Sequence, residues 1–392
     1  MNIKYPLQSL AVCLIGLFMV ACSSTGERVS QSPSYFISVQ DGRAGLENGS
    51  GVVRSAEDSL AVVEMTEGRL RLVHSLAMPT SLVGPPSSIA IAPGGKMALV
   101  TAATRRDPRD VNKVVAHDGV SVVALDSSGQ AAPKVIAEIA TGTGASGVSI
   151  NKSGNLALVA NRVEGTISVL SIEGMRVQSI GKVTLASGAG PAHVAFTPDG
   201  SRALVTRGDN RISMLDIKGS SVTLNARELS AGIRPYGLDI SPSGQWGVVT
   251  NLGMNQGDAD TISLINLEAN PPRVVDTVSV GQTPEGIFFS PDGKLIGLTV
   301  IDGSNKPKAS PFYGSASYQQ YEIKDGRLMR SAEIKGGAWF QGQAFSRDGR
   351  YVVVQDASQR QLRVYVRDGN KLLDTQERLQ FDAAPGAIVL WR

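Results

Sequence analysis

The 392-residue sequence predicts an all-β fold, a seven-bladed β-propeller of four-stranded antiparallel blades, and three observations carry that expectation. One phrase, a short apolar strand followed by a Pro-Asp-Gly-like turn, recurs along the chain. The same succession of short apolar runs follows its copies. The two chain ends each hold part of one further unit.

The phrase is plainest in GPAHVAFTPDG, Gly190 to Gly200. It returns as PSSIAIAPGG, ASGVSINKSG, PYGLDISPSG, PEGIFFSPDG and FQGQAFSRDG, with closing glycines at 95, 154, 200, 244, 293 and 349. The intervals of 59, 46, 44, 49 and 56 residues fit a unit of about 44 with insertions, the length of a propeller blade. Within each unit the phrase supplies the first strand. The second strand is the apolar run after the turn: MALVTAA, LALVAN, RALVTR, WGVVTN, LIGLTV or YVVVQD. The third alternates apolar and polar residues, as in TISVLSI, RISMLDI and TISLINL, and a fourth follows, as at Arg273–Val280. These runs are short, rich in Val and Ile, and bounded by Gly, Asp, Asn or Pro, which are strand and turn signals. No stretch beyond the first thirty residues sustains a helical period.

The seventh blade is expected from both ends of the chain. PGAIVLWR, Pro385–Arg392, aligns with Pro191–Pro198 and reads as a first strand. Its partners are YFISV (Tyr35–Val39), SLAVVEM (Ser59–Met65) and RLRLVHSL (Arg69–Leu76). Sharing a blade closes the ring and removes an open sheet edge.

The segments VAFTPDG…ALVTRGDNRISMLDI and LDISPSGQWGVVTN…DTISLINL resemble the YVTN-type propeller repeat, over nearly all of residues 33–392. The resemblance implies the superfamily that holds the seven-bladed lactonases and lactonizing enzymes. It implies a fold more than a function, because such propellers serve as enzymes, binding modules and surface proteins alike.

The first residues read as an export signal. Lys4 is followed by a largely apolar, uncharged stretch from Leu7 to Ala21, the size of a secretory h-region and short for a membrane span. It ends in MVAC, which resembles the lipobox of bacterial lipoproteins, with Met19 where leucine is usual. The resemblance implies cleavage before Cys22 and lipidation there, and Ser23 points to the outer membrane, facing the periplasm. The alternative is an ordinary cleaved signal with a free cysteine. The expected organisation is therefore a signal at 1–21, a lipidated and polar tether at 22–33 and the propeller at 34–392. Cys13 leaves with the signal, so a mature chain has no disulfide to form. Net charge is +3, with basic residues scattered among turns, and no nucleic-acid footprint is visible. The expected state is a monomer held to the membrane by its lipid, meeting an envelope protein or a small-molecule ligand.

Chemistry-bearing motifs are few. The three histidines, His74, His117 and His193, have no ligand spacing, and neither HExxH nor GxSxG occurs. No metal and no cofactor is expected, and the turn aspartates read as backbone caps. The loops say more. Connections between second and third strands are short at Asn161–Gly165, Arg207–Asn210 and Gln355–Gln359, and long at Gln40–Ser59, Thr104–Gly119 and Asp302–Ser317, with Asn251–Asp260 intermediate. Long loops on one face of a rigid scaffold are where function concentrates. They are expected to form two walls, blades one and two against blades five and six, flanking the channel mouth.

His193 stands where the other blades carry Ser88, Gly147, Gly237, Gly286, Gly342 and Ala387, all small. It is expected in the mouth of the channel. The preceding position holds Ser87, Ser146, Ala192, Tyr236, Glu285, Gln341 and Gly386, and Arg234 lies beside it. His193, Arg234 and Glu285 form the catalytic expectation; Tyr236, Gln341, Ser87 and Ser146 form the ligand-binding one. An acid/base, a cation and hydrogen-bonding groups are what lactone opening or closing needs. GPAHVAF also resembles the P-x-H phrase of the lactonase superfamily, though the further motifs that surround it there find no match here. The leading expectation is a cell-envelope lipoprotein that binds a ligand at the long-loop face. The runner-up is a lactonase-like hydrolase or lactonizing enzyme, with His193 as general acid/base and Arg234 as anion clamp.

Overall fold

The computed structural model describes residues 1–3, 32–126, 128–369 and 371–391, so the expected signal, lipobox and Cys22 lie outside the described residues. The chain divides into two units, 1–32 and 33–392, and every described strand belongs to the second. No helix of the described residues is long and apolar enough to cross a membrane.

Seven four-stranded antiparallel sheets are built as the repeat predicts. Blades II to VII begin at Ile89, Ala145, Pro191, Pro235, Pro284 and Phe340, and each runs outward in chain order from its first strand to its fourth. Blade I takes its innermost strand, Ala384–Leu390, from the C-terminal end and Ser34–Asp41, Ser59–Thr66 and Arg69–Ala77 from the N-terminal end. Successive first strands touch in an unbroken cycle, blade I reaching both II and VII, which closes the ring. Trp391 fastens the seam: its indole Nε1 donates to Gly95 O of blade II at 2.7 Å, and its ring meets Tyr35 edge-on at 6.2 Å.

The pattern of residues explains the layering. Second strands such as Leu156–Asn161 are buried throughout, because both faces pack on neighbouring blades. Fourth strands such as Lys134–Ala140 alternate exposed and half-buried residues, having one wet face. Between blades the apolar faces interlock, as where Leu158 and Ile167 of blade III meet Val194, Val205 and Leu215 of blade IV.

A threonine set in the second strand links blade to blade. Thr206, Thr250 and Thr299 donate through Oγ1 to the backbone oxygens of Tyr236, Glu285 and Gln341 in the following blade, at 2.7, 3.1 and 3.0 Å. Thr101 does the same to Ser146 O. Three of these hydroxyls also accept the N–H of their own blade's small-residue position, at His193, Gly237 and Gly286. The first strands are bulged there, with register breaks between Pro191 and Val194, Pro235 and Leu238, and Pro284 and Ile287. A bulge re-aims the residues it contains, and here it turns the ring residues toward the axis and their carbonyls toward the threonines.

The long-loop face differs from two opposed walls. The blade I insertion is a hairpin, Ala44–Glu47 with Ser50–Val53, and the blade II insertion is another, Thr104–Asp107 with Asp110–Ala116. They meet through Arg106 Nη2, which donates to Arg54 O at 2.9 Å. The tip of the first hairpin reaches the blade VI loop, where Lys308 N–H donates to Asn48 Oδ1 at 3.2 Å. That loop in turn holds the blade V loop, Lys306 Nζ bonding Asn255 O at 3.0 Å. The insertions therefore form one continuous arc over blades V, VI, VII, I and II. Among the described residues, only the tight turns of blades III and IV leave the face uncovered.

Candidate functional site at the channel mouth

The connection from blade I to blade II, residues 78–88, does not pass around the axis but into it. Gly84 O accepts from Gln341 Nε2 of blade VII at 3.2 Å, and Gly84 lies against Ser146 Oγ of blade III. Pro86 presses on Gly286 and Gly342, where an added Cβ would come within 2.9 and 2.7 Å of its ring. The small residues at those positions make room for this plug, which closes the side of the channel under the loop arc.

Arg43 holds the plug in place. Its guanidinium donates to Thr80 O and, at 2.9 Å, to Thr104 O, and Leu82 N–H donates to Asp41 Oδ2 at 2.8 Å.

The predicted ring residues separate into two groups. Gln341 is spent on structure: besides Gly84 it accepts from Trp339 Nε1 at 2.7 Å. Ser87 and Ser146 are buried beside the plug with hydroxyl oxygens that have no partner. Ser87 Oγ and His193 Cα both crowd Gly147, 3.0 and 2.9 Å from where its Cβ would stand. His193 itself is buried, and its Nδ1 accepts the N–H of Leu238 at 3.1 Å. That bond fixes the tautomer with the proton on Nε2, so the ring is a donor. Burial pushes the imidazole down to about 3, which leaves it neutral at ordinary pH. So placed, the ring offers a donor at Nε2, its Nδ1 lone pair being taken by the Leu238 N–H.

Tyr236, Glu285 and Arg234 form the second group, together with Arg162, which the sequence reading passed over. The Arg162 guanidinium lies over the Tyr236 ring, 5.6 Å from its centroid. Glu285 is 6% exposed, and its Oε2 has no hydrogen-bond partner. Burial pushes its carboxyl up to about 8, against the pull of Arg162 and Arg234. The Tyr236 hydroxyl is raised as well, by burial and by Glu285. Arg234 sits at φ 53° with its N–H on Asn210 Oδ1 at 2.8 Å and Nη1 on Gly253 O at 3.2 Å. Both arginines are half-buried, so they reach solvent where the acid does not. Both stand at the uncovered sector, Arg162 in the tight turn of blade III and Arg234 at the entry to blade V.

The other two histidines lie away from this group. His74 Nε2 lies 3.2 Å from Gly129 O, and the backbone of His117 bonds Ala103 and Gly144. Among the described residues no cluster of three or more His, Cys, Asp or Glu could hold a metal ion.

No family model matches the sequence, and no curated protein does. Solved structures do match. A Bacteroides uniformis protein assigned as a 6-phosphogluconolactonase superposes with a TM-score of 0.71 at 15% identity, covering 92% of this chain and 100% of that one. The periplasmic gluconolactonase PpgL of Pseudomonas aeruginosa gives 0.70 at 15% identity, covering 92% and 99%. Hydrazine synthase of Kuenenia stuttgartiensis gives 0.56 at 19%, covering 74% and 78%. The likeness is one of fold. It extends across proteins of unlike chemistry, so the site and not the scaffold must carry the functional argument.

Proposed function

We propose that the channel mouth between blades III and VI binds a small hydroxylated lactone and opens it to the hydroxy acid. The observation that supports this most is Glu285, a buried carboxyl with an unpartnered oxygen in the field of two half-buried guanidiniums. In its ionised form Glu285 takes a proton from water as the water oxygen adds to the acyl carbon. Arg162 and Arg234 stabilise the oxyanion that forms. Collapse breaks the acyl–ring-oxygen bond, and the proton held by Glu285 passes to the leaving oxygen. The base in this reading is Glu285, while His193, with Nδ1 taken by the Leu238 N–H, offers a donor at Nε2. The lactonase assignments of similarly folded proteins favour this substrate class.

The test is turnover of a panel of sugar lactones, followed by acid release. Glu285→Gln should abolish it, and Arg162→Ala and Arg234→Ala should each lower kcat/KM by at least tenfold. The wild-type rate should rise with pH up to about 8 as Glu285 ionises. No turnover above the spontaneous rate, or full activity in Glu285→Gln, would overturn the proposal.

A second reading, a ligand-binding lipoprotein of the envelope, rests on a different observation. Val83, Val163, Ile233, Met254, Phe312 and Tyr313 are all exposed and all lie in connections on the loop face. The MVAC sequence at Met19–Cys22 and the likeness to a periplasmic protein favour an exported, lipid-held protein. Cross-linking in native membranes, with and without residues 104–116 and 304–316, separates the readings. A stoichiometric partner lost on deletion supports binding, and none recovered leaves the lactonase reading.

A further inference from the structure

The two inserted hairpins flank an open cleft of about 920 Å³ that contains none of Arg162, His193, Arg234, Tyr236 and Glu285. It lies between blades I and II, lined by Arg43, Arg54, Arg105 and Arg106, with Asp58 and Glu57 as its only acids. Its volume falls in the range of small-molecule pockets, about 300–1,000 Å³.

The charges in it are unevenly balanced. Arg43 is neutralised at the floor, with Nε 3.2 Å from both Asp41 and Asp58, and both ends of its fork are taken by backbone oxygens. Arg106 donates to Val111 O and Arg54 O and meets no carboxylate. Arg54 has one loose ion pair, 3.5 Å from Glu47, whose side chain is largely exposed. Arg105 is exposed, and its side chain makes no hydrogen bond or ion pair among the described residues. The guanidiniums of Arg54 and Arg105 thus line the walls with little to oppose them, and the charge of Arg106 adds to theirs. The walls are held rigid by two hairpin ladders and the Arg106–Arg54 bond. Rigid forks of this kind suit carboxylate and phosphate oxygens bidentately.

We infer that this cleft is a binding site for a small oligoanion, a compound bearing two or more phosphate or carboxylate groups. One anionic group lies against Arg105 and a second against Arg54, while Met78, Pro79, Val53 and Val111 line the remainder. The site is independent of the channel chemistry and does not need it.

Calorimetric titration of the full-length protein with tripolyphosphate and with citrate tests the inference and separates the two anion sources. Saturable binding by at least one probe is expected, weakened at least tenfold in Arg105→Ala and in Arg54→Ala and further weakened by added salt. The Arg105 side chain bonds to nothing and its backbone pairing is kept in the alanine variant, so Arg105→Ala leaves the hairpin intact. Arg162→Ala, in the channel, should leave the affinity unchanged. Binding of neither probe, binding indifferent to Arg105→Ala and Arg54→Ala, or binding lost in Arg162→Ala would overturn it.

Discussion

Thr250 Oγ1 donates to Glu285 O at 3.1 Å and accepts the N–H of Gly237 at 2.7 Å. One hydroxyl thereby ties the second strand of blade V to its own first strand and to the residue of blade VI that carries the channel carboxyl. Replacing it by an isosteric valine removes both bonds and leaves a buried donor and acceptor. Each costs about 1–3 kcal/mol, so Thr250→Val should unfold at clearly lower urea concentration, while Thr250→Ser should stay near wild type. Equal stability of the Val and Ser variants would show that the link carries no energy.

The pH dependence of stability follows from two buried groups of opposite sign. His193 has its folded pKa lowered from 6.5 to about 3, so its contribution is present above 6.5 and is lost as pH falls toward 3. At pH 5 the loss is about 2 kcal/mol, at 1.36 kcal/mol per unit. Glu285 is raised from 4.5 to about 8, so its contribution is present below 4.5 and is lost as pH rises through 8. Asp239, raised to about 7 by burial, acts in the same direction as Glu285. Denaturant midpoints measured from pH 4 to 9 should therefore show His193→Gln flattening the acid limb and Glu285→Gln flattening part of the alkaline one. An acid limb unchanged in His193→Gln would mean that the imidazole is solvated.

The plug can be displaced from below. A side chain at Gly342 would meet Pro86 and Gln355 Oε1, each 2.7 Å from its Cβ. Gly342→Val should push Pro85–Pro86 off the axis at a cost of about 1–3 kcal/mol. Amide exchange should accelerate over residues 81–88 but not in blades III and IV. Unaltered exchange there would mean that blade VII yields instead.

The seam predicts a large effect from one side chain. Trp391 is 8% exposed and bonds Gly95 of the neighbouring blade. Trp391→Ala should cost about 3–5 kcal/mol, read from thermal or urea unfolding. Trp391→Phe keeps the packing and should lose only about 1 kcal/mol for the hydrogen bond.

The sequence by itself determined the architecture. A unit repeated at Gly95, Gly154, Gly200, Gly244, Gly293 and Gly349, with strand grammar inside each copy, leaves few folds open. The shared blade was legible too, since Ala384–Leu390 pairs with Ser34–Asp41 as the end sequences imply. Even the threonine links left a trace, in the Thr that ends MALVT, RALVT, WGVVT and LIGLT. Repetition made these features legible, because each blade repeats the same local constraint. What tertiary structure alone decided lies where the repeat is broken. GPPS, Gly84–Ser87, reads as a turn, yet it enters the axis because Gly286 of blade VI and Gly342 of blade VII leave space for it. Arg162 reads as a turn residue, yet it covers Tyr236 from the next blade but one. The tautomer of His193 was set by the Leu238 N–H, a donor 45 residues on. Closure of the ring brings such residues together across the axis, and no local pattern records a contact made only when the ring is complete.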